Sequence, residues 1–185
     1  VYKRQHEGFK GCFKDFLKHE PLNLTVEEII ERSSNVGTIK IVNNSNIDNV
    51  EEFLKKFGFG SRTGVELSGE SKGSFTEYNT CKTCLSSLSI GYSINTTQYQ
   101  MVKGYSIIAN GGNDIQLSLL RNLDQNVNQK SIISNDLSNR LKKLLINVVE
   151  GDNGTGKSLR MSGYVIGGKT GTSRTYLEGI GYSDK

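Results

Sequence analysis

Gly167-Gly168-Lys169-Thr170-Gly171-Thr172 is the stretch on which the reading of this 185-residue chain turns. Glycines alternate with one cation and two hydroxyls, so a ligand can approach the backbone closely and meet donors on arrival. Together with Gly163-Tyr164-Val165-Ile166 in front of it, the stretch reads as strand. Far upstream stands Ser33-Ser34-Asn35. A Lys-Thr-Gly element alone is a weak signal. Behind an earlier Ser-x-Asn it forms two parts of a three-part serine acyl-transfer signature. The third part, Ser-x-x-Lys, would hold the nucleophile, and no serine here has a lysine three residues after it.

The chain is long enough for one domain with a real core. Hydrophobic residues make up 35%, and no apolar run reaches the roughly 18 residues of a membrane-spanning helix. No charged-then-apolar signal peptide opens the chain. Lysines are scattered among acids, which argues against a nucleic-acid surface. Val1-Tyr2-Lys3-Arg4-Gln5 is what GTG-TAT-AAG-AGA-CAG encodes, a string resembling a transposase adaptor end. Residues 1–5 are therefore expected to be a cloning or sequencing scar, with the true N-terminus upstream and residues 6–185 as the domain. Without Lys3 and Arg4 the formal net charge falls from +4 to +2, so the mild basicity carries little meaning.

Between the two motifs the chain is rich in helix signals. Thr25 and Glu28 form a capping box ahead of a short helix with Val26, Ile29 and Ile30 on one face. A second helix follows Ser33-Ser34-Asn35 through Ile39 and Val42. Asp48 opens a third, with Val50, Phe53, Leu54 and Phe57 inward and Gly58 as its stop. Residues 58–79 read as loop. Thr97 and Gln100 cap a helix expected to bury Met101, Val102, Tyr105 and Ile108 and to end at Asn110-Gly111-Gly112. Ser134 or Asp136 begins the clearest helix, which runs from Leu137 to Val149 at helical spacing. The picture is a helix-rich region followed by the beginning of a sheet.

Two motifs invite other readings. Gly151-Asp152-Asn153-Gly154-Thr155-Gly156-Lys157-Ser158 matches the phosphate-cradling P-loop pattern. A P-loop must leave a strand and open a helix, whereas here helical periodicity precedes it and a glycine-broken segment follows. A glycine-rich turn is the simpler reading. Cys81-Lys82-Thr83-Cys84 is a Cys-x-x-Cys without a second ligand pair for zinc, and it lacks a thioredoxin-like setting. Small half-buried side chains with an adventitious disulfide account for it, and Cys12 reads as packing. Two histidines, neither beside a nucleophile, argue against a Ser-His-Asp mechanism.

Several segments together resemble the transpeptidase domain of class B penicillin-binding proteins, the cell-division type that cross-links peptidoglycan. They are Leu24 to Ile30 leading into Ser33-Ser34-Asn35-Val36-Gly37; Phe57-Gly58-Phe59-Gly60 with Thr63 to Leu67; Ser89 to Ile94; Thr97 to Gln100; Ala109-Asn110-Gly111-Gly112; Gly154-Thr155-Gly156; and Gly163-Tyr164 through Thr172. The resemblance covers nearly the whole chain after residue 5. It implies an α/β (α+β) β-lactamase/transpeptidase-like fold, an antiparallel sheet flanked by helices with a helical subdomain, truncated at both ends. The Ser-x-Asn would lie on a loop and the Lys-Thr-Gly on a strand edging the cleft.

The resemblance also implies the chemistry. A serine outside this chain would attack the D-Ala-D-Ala carbonyl of a peptidoglycan stem peptide. Ser33 would relay a proton, Asn35 would grip a substrate amide, and Lys169 would favour the terminal carboxylate. Thr170 and Thr172 would hydrogen-bond that carboxylate, Gly171 would let the ligand approach, and the Thr172 N–H would help form the oxyanion hole. β-Lactams would acylate the same site, and the 185-residue chain itself should be inactive. No cofactor is implied. A cell-division or elongation glycosyltransferase complex is the implied partner. An upstream segment would anchor the protein in the bacterial inner membrane with this domain on the periplasmic or extracellular side. The alternatives are a non-catalytic relative that still binds stem peptides and, remotely, a P-loop nucleotide binder through Gly151–Ser158.

Overall fold

The strongest apolar pattern in the sequence becomes the longest helix. The computed structural model describes residues 4–5, 12–16, 19–45, 50–75, 83–121, 130–172, 175–177 and 181–183. In chain order the elements are β1 (Arg4–Gln5), β2 (Cys12–Phe13), α1 (Val26–Glu31), α2 (Asn35–Asn44), α3 (Val50–Lys56), β3 (Ser74–Phe75), α4 (Cys84–Ser89), β4 (Ile94–Asn95), α5 (Gln98–Ala109), α6 (Asn135–Glu150), β5 (Thr175–Leu177) and β6 (Gly181–Ser183). The strands pair antiparallel as β1–β2, β3–β4 and β5–β6. Helix α6 packs against α1 and α5, while α2 packs against α4.

Ser134 caps α6 by accepting from the Leu137 N–H at 3.2 Å. The helix buries Val148, Val149 and Ser138 completely. The Ser138 hydroxyl donates to the Ile108 carbonyl at 2.6 Å, which satisfies a buried polar group and ties α6 to α5. Phe57, Ile107 and Ile133 form the core between them, with Phe59, Ile108, Ile132 and Leu141 packed around it. Complete burial of Ile107 alone is worth roughly 1.5–3 kcal/mol.

Both expected capping boxes form, Thr25 with Glu28 and Thr97 with Gln100. Gly58 stops α3 with φ +92°, a conformation that glycine adopts without strain. The face that α5 buries differs from expectation. Met101 and Val102 are exposed, as is Tyr105, and the buried residues are Gln100, Gly104 and Ile107. Hydrogen bonding decides this. Gln100 Nε2 donates to the carbonyls of Ser61 and Lys72, both at 2.8 Å, and Oε1 accepts from the Thr97 N–H. That bonding turns the polar residue inward and rotates the apolar ones out. Val26 and Phe53, expected inward, are also exposed.

Residues 164–172, expected as strand, form no regular element and have no ladder partner among the described residues. One backbone bond, from the Gly168 N–H to the Leu145 carbonyl at 3.0 Å, ties the segment to α6. A strand is defined by its pairing, and the ladder here begins only at β5. Asp48, Cys81 and residues 76–79 lie outside the described residues. Cys84 is disulfide-bonded.

Candidate active site

Ser33 sits where α1 ends. The Ser33 N–H bonds to the Ile30 carbonyl at 3.2 Å, and the Ser34 N–H bonds back to the Ile29 carbonyl at 2.9 Å. This is the Schellman pattern of helix termination, whose left-handed position is usually glycine. Here that position is Ser33, with φ +56°. A side chain held in this region costs on the order of 1–3 kcal/mol and persists only where its surroundings hold it. The chain therefore keeps a hydroxyl at a position where glycine would be more stable.

Ser34 begins the next helix. Its hydroxyl accepts from the Gly37 N–H at 3.0 Å and donates to Asp15 Oδ2 at 2.9 Å. The other Asp15 oxygen accepts from the Val36 N–H at 2.9 Å. Asn35, expected on a loop, is the first residue of α2. Its Nδ2 donates to the Lys14 carbonyl at 3.1 Å, which leaves the amide oxygen and the second Nδ2 hydrogen for a ligand.

Lys169 comes from the segment across from this turn. Its Nζ donates to Ser33 Oγ at 2.6 Å and to the Thr170 carbonyl at 3.0 Å. Two motifs 136 residues apart therefore meet in one hydrogen bond. Partial burial pushes the Lys169 ammonium below the ordinary lysine value. No carboxylate among the described residues pairs with it. Because an ammonium only donates, Ser33 Oγ accepts from it, and the serine's own hydrogen is free to point elsewhere.

Thr170 and Thr155 share a hydrogen bond at 2.7 Å between their hydroxyls. Gly171 has open space around its Cα, and Thr172 is exposed. Neither the hydroxyl nor the N–H of Thr172 has a partner among the described residues. Gly167 lies against the backbone of α6, where an added Cβ would come within 3.3 Å of the Ile146 nitrogen. The glycine pair thus seats the motif on the helix.

The P-loop pattern folds as a turn after α6. The Gly156 N–H donates to the Val148 carbonyl at 2.8 Å, and a Cβ at Gly154 would collide with that same carbonyl. The Asn153 N–H is taken by Glu31 Oε1 at 3.0 Å. Arg160, just beyond, caps the helix end through the carbonyls of Val149, Glu150 and Gly151. Phosphate cradling needs free N–H groups before a helix, and this turn spends those of Asn153 and Gly156 on Glu31 and on the helix behind it. The Gly154-Thr155-Gly156 turn stands out in the sequence, whereas the bond from Thr155 to Thr170 leaves no signal there. Asp15 and Glu31 leave none either, since neither belongs to a motif or to an apolar period.

The family model for the penicillin binding protein transpeptidase domain matches residues 2–185. The chain is 31% identical over 163 residues to a Pseudomonas aeruginosa protein named Probable peptidoglycan D,D-transpeptidase PbpC, covering 88% of this chain and 28% of that one. It is 30% identical over 176 residues to Penicillin-binding protein PbpB of Mycolicibacterium smegmatis, covering 87% of this chain and 27% of that one. Among solved structures, penicillin-binding protein 3 of Mycobacterium tuberculosis complexed with aztreonam superimposes with a TM-score of 0.83 at 28% identity. That match covers 94% of this chain and 42% of the other. The chain spans less than a third of the length of these curated relatives.

Proposed function

Because the chain belongs to the penicillin-binding protein transpeptidase family, we propose that it is the part of a peptidoglycan D,D-transpeptidase that carries the proton relay and the carboxylate grip. The nucleophilic serine, in a Ser-x-x-Lys element, would stand elsewhere in a longer protein. The observation that carries the reading is the 2.6 Å bond from Lys169 Nζ to Ser33 Oγ.

The roles follow from the donors. The serine hydroxyl attacks the D-Ala-D-Ala carbonyl and gives its proton to its paired lysine. The tetrahedral oxyanion is held by N–H groups, of which the Thr172 N–H is one. As the carbon–nitrogen bond breaks, the departing D-alanine nitrogen takes a proton from Ser33, which is replenished through Lys169. An amine of a second stem peptide then attacks the acyl-enzyme and forms the cross-link, its proton passing back through Ser33 to Lys169 while the paired lysine returns its proton to the departing serine oxygen. The Lys169 cation, which has no carboxylate partner among the described residues, suits the substrate's terminal carboxylate together with Thr170 and Thr172. Asn35 offers its amide oxygen to a substrate N–H. A β-lactam, as in the aztreonam complex of the mycobacterial relative, would enter by the same route.

The family resemblance further supports a place on the outer side of the bacterial inner membrane and a glycosyltransferase complex as partner. No described helix is long and apolar enough to cross a membrane. The reading of residues 1–5 as a scar has against it the family match from residue 2 and the pairing of Arg4–Gln5 with Cys12–Phe13, and resequencing from an adaptor-free library tests it. The reading itself is tested by fluorescent penicillin labelling of the longer protein. Covalent labelling that Lys169→Ala removes supports it. A true start codon upstream of codon 6 without any Ser-x-x-Lys would leave only a stem-peptide binder.

A further inference from the structure

We propose that Asp15 is a positioning residue for acyl transfer: it holds the Ser33-Ser34-Asn35 turn in the strained form that presents Ser33 Oγ to Lys169. This rests on the transpeptidase reading. Asp15 touches none of the groups assigned to substrate, so it acts through the turn.

The turn is held from two sides. Upstream, the two Schellman bonds fix it to the end of α1. Downstream, both Asp15 oxygens are engaged: Oδ1 accepts from the Val36 N–H, and Oδ2 accepts from the Ser34 hydroxyl. His19 Nε2 lies 3.0 Å from Oδ2 and fixes the carboxylate's plane. Next door, the Lys14 carbonyl takes the Asn35 side-chain amide. The segment Lys14-Asp15 therefore grips all three residues after Ser33 by a side chain or a backbone N–H. Ser33 at φ +56° would gain by relaxing to an ordinary backbone region. With Asp15 gone, Ser34 can still cap Gly37, so α2 survives while the strained residue loses its downstream hold. Relaxation would swing Ser33 Oγ away from Lys169.

The test is a double-mutant cycle on penicillin acylation in the longer protein, below the melting temperature of every variant. Asp15→Ala should slow the first-order acylation step about tenfold while the half-saturating penicillin concentration stays within about twofold. Asp15→Asn, which keeps one carbonyl acceptor, should recover part of the loss. In a Ser33→Ala background Asp15→Ala should cost almost nothing more, because its effect passes through Ser33. Full additivity, or an unchanged acylation step in Asp15→Ala, overturns the proposal and leaves the transpeptidase reading standing. Wild-type protein that penicillin never labels overturns that reading instead. The anchor is then read in the 185-residue chain by amide exchange at Val36, which Asp15→Ala should speed about tenfold. Unchanged exchange there would overturn the anchor itself.

Discussion

The loop between α3 and β3 and the turn between α1 and α2 both depend on buried polar groups, but they use them to opposite ends. In the loop everything is closed. Glu70, only 7% exposed, accepts from the Thr63 hydroxyl and N–H and from the Gly64 N–H. Gln100 fills the same role for Ser61 and Lys72. At the turn, polar groups are arranged and then left open: among the described residues the facing Lys169 has no counter-ion and Thr172 no partner, and Ser33 holds a strained backbone form. A satisfied network makes a scaffold, and an incompletely satisfied one makes a site.

The contrast can be broken at either end. The largest effect is expected at Lys169. Lys169→Ala should lower acylation of the longer protein by about 10²–10³-fold, as for loss of one preorganised electrostatic group, with little change in melting temperature. If the charged form does the work, acylation should also fail on the alkaline side below the ordinary lysine value of 10.5, because burial lowers this pKa. A limb at or above that value would mean that the site is less enclosed than its geometry indicates.

The scaffold should respond in stability. Gln100→Ala strands two part-buried carbonyls and should cost roughly 2–6 kcal/mol in urea unfolding, at about 1–3 kcal/mol per orphaned group. A loss under 1 kcal/mol would mean that water replaces the amide. Glu70 gives a pH signature. Burial works against its charge, but the hydrogen bonds from Thr63 and Gly64 outweigh it and hold the carboxyl below its ordinary 4.5. Its contribution is thus fully present above pH 4.5 and lost as pH falls through the lower folded value. Glu70→Gln should flatten that acid decline. The smallest effect is expected at the false phosphate loop: Lys157→Ala should leave magnesium-ATP binding at the blank level that isothermal calorimetry gives for the unaltered chain. Saturable binding that the substitution removes would revive the nucleotide reading.

How much of this was legible in the chain depended on whether the deciding interaction was local. The caps at Thr25, Thr97 and Ser134, the stop at Gly58 and the long helix through Val148 all act within a few residues, and all form as read. The buried face of α5 was misread because apolar spacing was weighed alone, while Gln100 reaches partners 28 and 39 residues away. The strand expected over Gly163–Thr172 failed for a related reason, since β-branched residues indicate an extended backbone but not a ladder partner. Of the site, the motif residues Ser33 and Lys169 were legible as types in order, and the structure brings them together. Asp15 and Glu31 were not, because an acid outside any period looks like every other acid on a surface.

The thin attachment of residues 164–172 has a consequence for handling the chain. With Tyr164 and Val165 among its most exposed apolar residues and no ladder partner among the described residues, this stretch offers an edge to any neighbouring molecule. Concentrated solutions should scatter light well before dilute ones show any loss of helix, as edges find one another while the helical body stays folded.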